Sequence, residues 1–235
     1  MKQLVLNISL LSVFSIIFNN TFSQKVGNIL DSLTVLKYAA NFSDTFGNST
    51  VEETTIKSLG IPWEPQKTQT KVELYYSPTD SVINQLYNPI SKKGKEKDIR
   101  ITTKTTTGIM DDTIRFWIHP FRANQYVYTE IAPFPEVYHE HLKIGGKWEG
   151  KMFILSGWGS FKGKMKTYYE VTSLESFNYK NATIENCWRI KAIAIHNKLG
   201  TSTLSCLFHP EYGFLSMEYF IYNGVKMNFT LVDKQ

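Results

Sequence analysis

The sequence predicts a mainly β protein: an antiparallel meander forming a curved sheet or half-barrel, with at most one or two short helices. Three observations carry this. From Lys147 onward, short runs of β-branched and aromatic residues alternate with turn residues at a regular spacing. Asn223-Gly224 falls between two such runs, the strongest short-range hairpin signal a sequence offers. The 42% hydrophobic and 14% aromatic content is ample for a core, so folding needs neither disulfide staples nor a structural metal.

The first residues give an address. Lys2 supplies a positive start, Leu4 to Phe18 form an apolar run of about 15 residues, and Thr21 and Ser23 place small residues before Gln24. The run is shorter than the roughly 20 residues that span a bilayer. Residues 1–23 are therefore expected to be a cleaved secretory signal. No cysteine follows to accept a lipid. Residues 24–235 are expected to form one β-rich domain, soluble in the periplasm or outside the cell, with no transmembrane segment after cleavage.

In the N-terminal half, Ser49-Thr50-Val51-Glu52 resembles a capping box, and Gly60 with Pro62 makes a stop, which predicts a short helix over Thr50 to Leu59. Its threonines and isoleucine also suit a strand. Lys71 to Ser77, Ile99 to Thr107, Thr113 to His119 and Gln125 to Ile131 read as strands. The Lys92 to Arg100 run contains its own acids and reads as a solvated hairpin tip. Ala132 to Glu136, with Pro133 and Pro135, reads as an extended surface loop.

The C-terminal strands are expected at Trp148 to Gly157, Met165 to Ser173, Ile184 to His196, Thr201 to His209, Phe214 to Tyr222 and Val225 to Val232. A two-residue type I′ turn at Asn223-Gly224 sets Tyr222 opposite Val225, Phe220 opposite Met227 and Glu218 opposite Phe229. In the preceding hairpin, pairing Ala194 with Leu204 sets Ala192 against Cys206 and Ile190 against Phe208. This puts Cys187 on the polar face and Cys206 on the apolar one, several rungs apart and unable to bridge.

The net charge of +5 is mild and spread along the chain, so nucleic acid is not an expected partner. No G-x-S-x-G elbow, P-loop, dinucleotide fingerprint or H-E-x-x-H is present. No cofactor is called for. His139-x-His141 is the sharpest candidate, since an extended stretch would project both imidazoles to one side, where Glu136, His119 or His209 could complete a metal site, with His119, His139 and His141 the set for a secreted hydrolase. Trp117 or Trp158, if exposed, could instead stack on sugars, as in a carbohydrate-binding module.

Gly145-Gly146-Lys147-Trp148, Cys187-Trp188-Arg189-Ile190 and Gly213-Phe214-Leu215 with Glu218-Tyr219 and Asn223-Gly224 resemble the strand pattern of uncharacterised exported β-sheet proteins of Gram-negative envelopes. The match runs over roughly Trp117 to Leu231. More distantly, the meander is similar to the half-barrel of the LolA and LolB lipoprotein carriers, whose concave face holds acyl chains. The resemblance implies a non-catalytic binding or envelope-associated module, its partner an apolar small molecule or an envelope component. Trp188, Ile190, Phe220, Met227 and Phe229 would line the concave face, unless a helix or N-terminal segment fills it.

Overall fold

Period-2 alternation sets the architecture. In β1 (Val35–Ser43) Leu36, Tyr38, Ala40 and Phe42 are buried, while the residues between them reach solvent. The computed structural model describes residues 29–78, 101–155 and 160–235. β2 (Ser49–Trp63), β3 (Gln66–Tyr76), β4 (Lys104–Asp111), β5 (Arg115–Trp117) and β6 (Glu136–Tyr138) follow. The second half is β7 (Lys147–Ile154), β8 (Gly163–Tyr179), β9 (Ala182–His196), β10 (Gly200–His209), β11 (Gly213–Phe220) and β12 (Lys226–Lys234). The expected signal and the Lys92 to Arg100 run lie outside the described residues, as does Trp158.

The strands form one antiparallel sheet in the order β6-β5-β4-β3-β2-β1-β12-β11-β10-β9-β8-β7. Two six-stranded meanders are thus joined where β1 pairs with β12, with Ala40 opposite Phe229. The sheet curls until it is nearly closed into a barrel with a seam, at which β6 and β7 are the free ends. Side chains bridge that seam. The Trp148 ring lies 6.2 Å from Tyr138 and 5.0 Å from Tyr169, and the Tyr169 hydroxyl donates to the Phe134 carbonyl at 3.0 Å. The barrel interior is mostly apolar, and the outer face mixes polar side chains with exposed apolar ones such as Phe153, Ile195 and Phe220. No helix among the described residues is long and apolar enough to cross a membrane.

The chain between β5 and β6 fills the interior. Phe121 stacks on Phe229 with centroids 5.0 Å apart and meets Tyr38 edge-on at 5.8 Å. Tyr126, in the 3-10 helix Asn124–Ile131, packs on Phe229 at 5.1 Å. Asn124 enters this helix at φ 56, a conformation asparagine tolerates. Its side chain anchors it to the lead-in of β4, accepting from the Thr102 amide at 3.0 Å and donating to the Thr102 carbonyl at 2.9 Å.

Several expectations change. The Thr50 to Leu59 helix is the middle of β2. Thr50, Glu52, Thr54, Ile56 and Ser58 are all buried at every second position, and Glu52 accepts from Gln125 inside the barrel instead of capping a helix. Gln125 to Ile131, read as a strand, is the interior 3-10 helix, because this stretch packs as a plug and not as a ladder. β1 had no counterpart in the sequence reading.

Two registers also move. β9 and β10 slide by two residues, pairing Ala192 with Leu204 and Ile190 with Cys206, which preserves the faces. Cys187 is nonetheless buried, not on a polar face: Asn186 adopts φ 58 and the β8–β9 ladder is irregular beside it. Both cysteines are free. Burial pushes the thiol of Cys206 up to about 12 and that of Cys187 to about 11, so both are poor nucleophiles.

At the β11–β12 hairpin the ladder pairs Tyr219 with Met227 and Phe220 with Lys226, one residue off the expected register. The loop is three residues, Tyr222 to Gly224, with the Gly224 amide donating to the Ile221 carbonyl at 2.8 Å and Gly224 alone at positive φ, 86°. This is a type I turn closed by a glycine bulge, not the type I′ turn that Asn-Gly favours. A Cβ on Gly224 would collide with Thr45 Cγ2. Gly224→Val is therefore expected to cost about 1–3 kcal/mol. A thermal melt unchanged by the substitution would contradict this turn.

Candidate functional site

The five residues expected to line one concave surface do not share it. Ile190, Met227 and Phe229 are core residues, and Phe229 carries the plug. Trp188 is half-buried. Phe220 points outward, 49% exposed, with Lys226 Nζ 5.9 Å from its ring centre. The cause is the one-residue shift at the Asn223-Gly224 turn, which sends Phe220 to the face opposite Met227.

The histidines likewise have separate partners. His139 and His141 lie in a single 3-10 turn, so they do not project together as strand neighbours would. His139 Nε2 donates to the Asp112 carbonyl at 3.1 Å, and His141 stacks on Trp148. His119 Nε2 accepts from Arg122 Nη1 at 2.8 Å. Among the described residues, no three His, Cys, Asp or Glu side chains are grouped so as to hold a metal ion.

Two cavities open on the outer face. The larger, about 710 Å³, is a groove across β2, β1, β12, β11, β10 and β9. It is lined by the outward rows on either side of the buried row Thr50, Phe42, Met227, Tyr219, Leu204 and Ala192, so only the backbone of that row reaches it. Exposed Phe220, Ile193 and Val51 (65%) are its apolar walls. Lys191 and Lys226 stand at its rim with Glu218, whose carboxylate lies 3.8 Å from Arg189.

The second cavity, about 460 Å³, lies where the β2–β3 hairpin leans over β4 and β5. The β2–β3 ladder breaks around Pro62 and Gly60 takes φ 63, which aims Trp63 at β4. Gly108 leaves room for it, since a Cβ there would sit 2.7 Å from Trp63 Cδ1. β5 alternates Phe116 inward with Arg115 and Trp117 outward. His119 and Arg122 complete the wall.

Behind that wall are two charge pairs. Arg115 Nη1 contacts Glu136 Oε1 at 3.1 Å and the Tyr138 hydroxyl at 3.2 Å, and Arg122 Nη1 contacts Glu130 Oε1 at 3.3 Å. Burial raises the carboxyls of Glu130 and Glu136, and the facing arginines only partly offset it. Burial and the Arg122 charge push His119 down to about 3. Its Nε2 accepts from Arg122, so the ring is neutral and its 3.9 Å approach to Glu130 is not an ion pair. Of this wall, the sequence reading had singled out only His119 and Trp117. Arg115, Arg122 and Trp63 join them through a hairpin bend that no local pattern announces.

A depressed His119 favours the folded state only while the ring is neutral. That stability is complete above the unfolded value near 6.5 and is lost as pH falls toward about 3. Burial also lowers His139 and His209, so their contributions have the same sign. His119→Gln, which keeps an acceptor for Arg122, is expected to flatten the fall in stability below pH 6.5 by up to about 1.4 kcal/mol per pH unit. Urea titrations from pH 4.5 to 7.5 measure it, and equal slopes in both proteins would count against a neutral His119.

No family model matches the chain, and no curated protein matches it. Among solved structures, it is similar to a protein described as exported, with a YmcC-like fold, from Bacteroides fragilis NCTC 9343. The TM-score is 0.43 at 7% identity, covering 88% of this chain and 97% of that one. It is also similar to YmcC of Escherichia coli K12, described as a lipoprotein, with a TM-score of 0.36 at 8% identity, covering 87% of this chain and 88% of the other. Both neighbours are thus described as exported proteins or lipoproteins of Gram-negative bacteria.

Proposed function

We propose that this chain is an exported, non-catalytic binding module that holds an apolar chain with an anionic head in the groove across β2, β1, β12, β11, β10 and β9. The observation that carries this reading is the placement of Phe220, Ile193 and Val51: three exposed large apolar side chains gathered along one 710 Å³ trough. The interior is occupied by Phe121 and Tyr126, so an apolar ligand has its place outside. Lys191 and Lys226 at the rim suit a carboxylate or phosphate head, and a cavity of this size falls in the range of small-ligand sites. Export rests on the signal-like residues 1–23.

Displacement of a fluorescent fatty acid by dodecanoate tests the reading. The protein is expected to bind it, and Phe220→Asp with Ile193→Asp is expected to weaken binding at least tenfold. The melting temperature should hardly change, because both side chains are substantially exposed. Absence of dodecanoate binding, or equal binding by the double variant, would sink the groove as the ligand site.

A further inference from the structure

The second cavity has a different chemistry. Its walls include two half-buried indoles, Trp63 and Trp117, with Gln66 and Gln69 at one end and Arg115 and Arg122 at the other. Both guanidiniums are held from behind by buried carboxylates through Nη1 alone. An arginine has five N–H groups in a planar fork. Among the described residues, Nε and Nη2 of Arg115 and Arg122 have no protein acceptor, and both residues line the cleft. His119 offers no free acceptor there, because its Nε2 already accepts a hydrogen bond from Arg122. The cleft thus has its cationic donors at Arg115 and Arg122, neutral polar groups at Gln66, Gln69 and Thr107, and aromatic walls.

We infer that this cleft is a saccharide site, selective for sugars that carry a carboxylate. An indole face, negative at its centre, is complementary to the polarised C–H face of a pyranose ring. A ring against Trp117 or Trp63 presents its acid group to the arginine forks, where planar carboxylate and planar guanidinium form paired charge-assisted hydrogen bonds. Glu130 and Glu136 fix the forks in place, so little side-chain freedom is lost on binding. Gln66 and Gln69 serve ring hydroxyls at the far end, where the Gln69 amide already donates to Gln66. The inference stands apart from the groove: the two cavities share no lining residue.

Trigalacturonate and maltotriose are the probes, read by tryptophan fluorescence and titration calorimetry on the full mature chain. Trigalacturonate is expected to bind at least tenfold more tightly than maltotriose. Arg115→Lys keeps the charge and loses the fork, and is expected to reduce that preference at least threefold, measured well below the melting transition of the variant. Trp63→Ala is expected to weaken both sugars, and neither variant should alter dodecanoate binding. Three results would overturn the inference: no trigalacturonate binding at millimolar concentration, equal binding of the two sugars, or displacement of trigalacturonate by inorganic phosphate at equal concentration, which would mark a generic anion site.

Discussion

A sheet that curls nearly into a barrel has to fill its own inside, and here the stack of Phe121 on Phe229 does it. Phe229 lies on β12 beside β1, the junction of the two meanders, and Phe121 belongs to the connection between β5 and β6 at the far edge of the first. The contact therefore ties the seam side of the barrel to the strands opposite. Tyr38 and Tyr126 extend the same cluster, and Tyr76 meets Phe121 edge-on at 6.0 Å. Without these rings the twelve strands would enclose a void, and interiors are packed to crystal-like density.

Filling the core from within leaves the outer face as the side on which the two cavities open. A half-barrel carrier would bind its ligand on the concave side, where this chain has placed its own aromatic residues. Phe220, Ile193 and Val51 are distinguished by lining one groove and not by exposure alone, since Phe153, Ile195 and other large apolar side chains also reach solvent. The paired charges behind the tryptophan cleft are a second distinction, because burying Glu130 and Glu136 is unfavourable unless partners compensate. Arg122 and Arg115 supply that compensation while turning their remaining donors outward.

Fold class was legible because it depends on alternation and turn spacing, both local properties. β7 to β12 were readable as separate strands for that reason. The plug was not, since Gln125 to Ile131 is β-like in composition and only tertiary packing makes it helical. β2 carried the reverse ambiguity: Ser49-x-x-Glu52 has the letters of a cap, but Glu52 is needed inside to accept from Gln125, 73 positions away. The finest error was the most consequential. Asn223-Gly224 marks the hairpin correctly, yet two- and three-residue loops both use glycine at positive φ, and the difference of one residue decides whether Phe220 is core or surface.

β2 links the groove, the plug and the second cleft. Val51 is on the groove side, Glu52 faces the plug, and Trp63 at the far end walls the second cleft. The two cavities share no lining residue, so substitutions in one are expected to act independently of the other. Glu52 is the exception, because it is at once part of the strand and the acceptor that seats the plug. Burial raises its carboxyl, so seating favours the protonated acid, and this component of stability is present at low pH and declines as pH rises through the raised value. It opposes the trend of the histidines and runs with that of Glu130 and Glu136, whose carboxyls burial also raises, so the cleft wall holds groups of both signs.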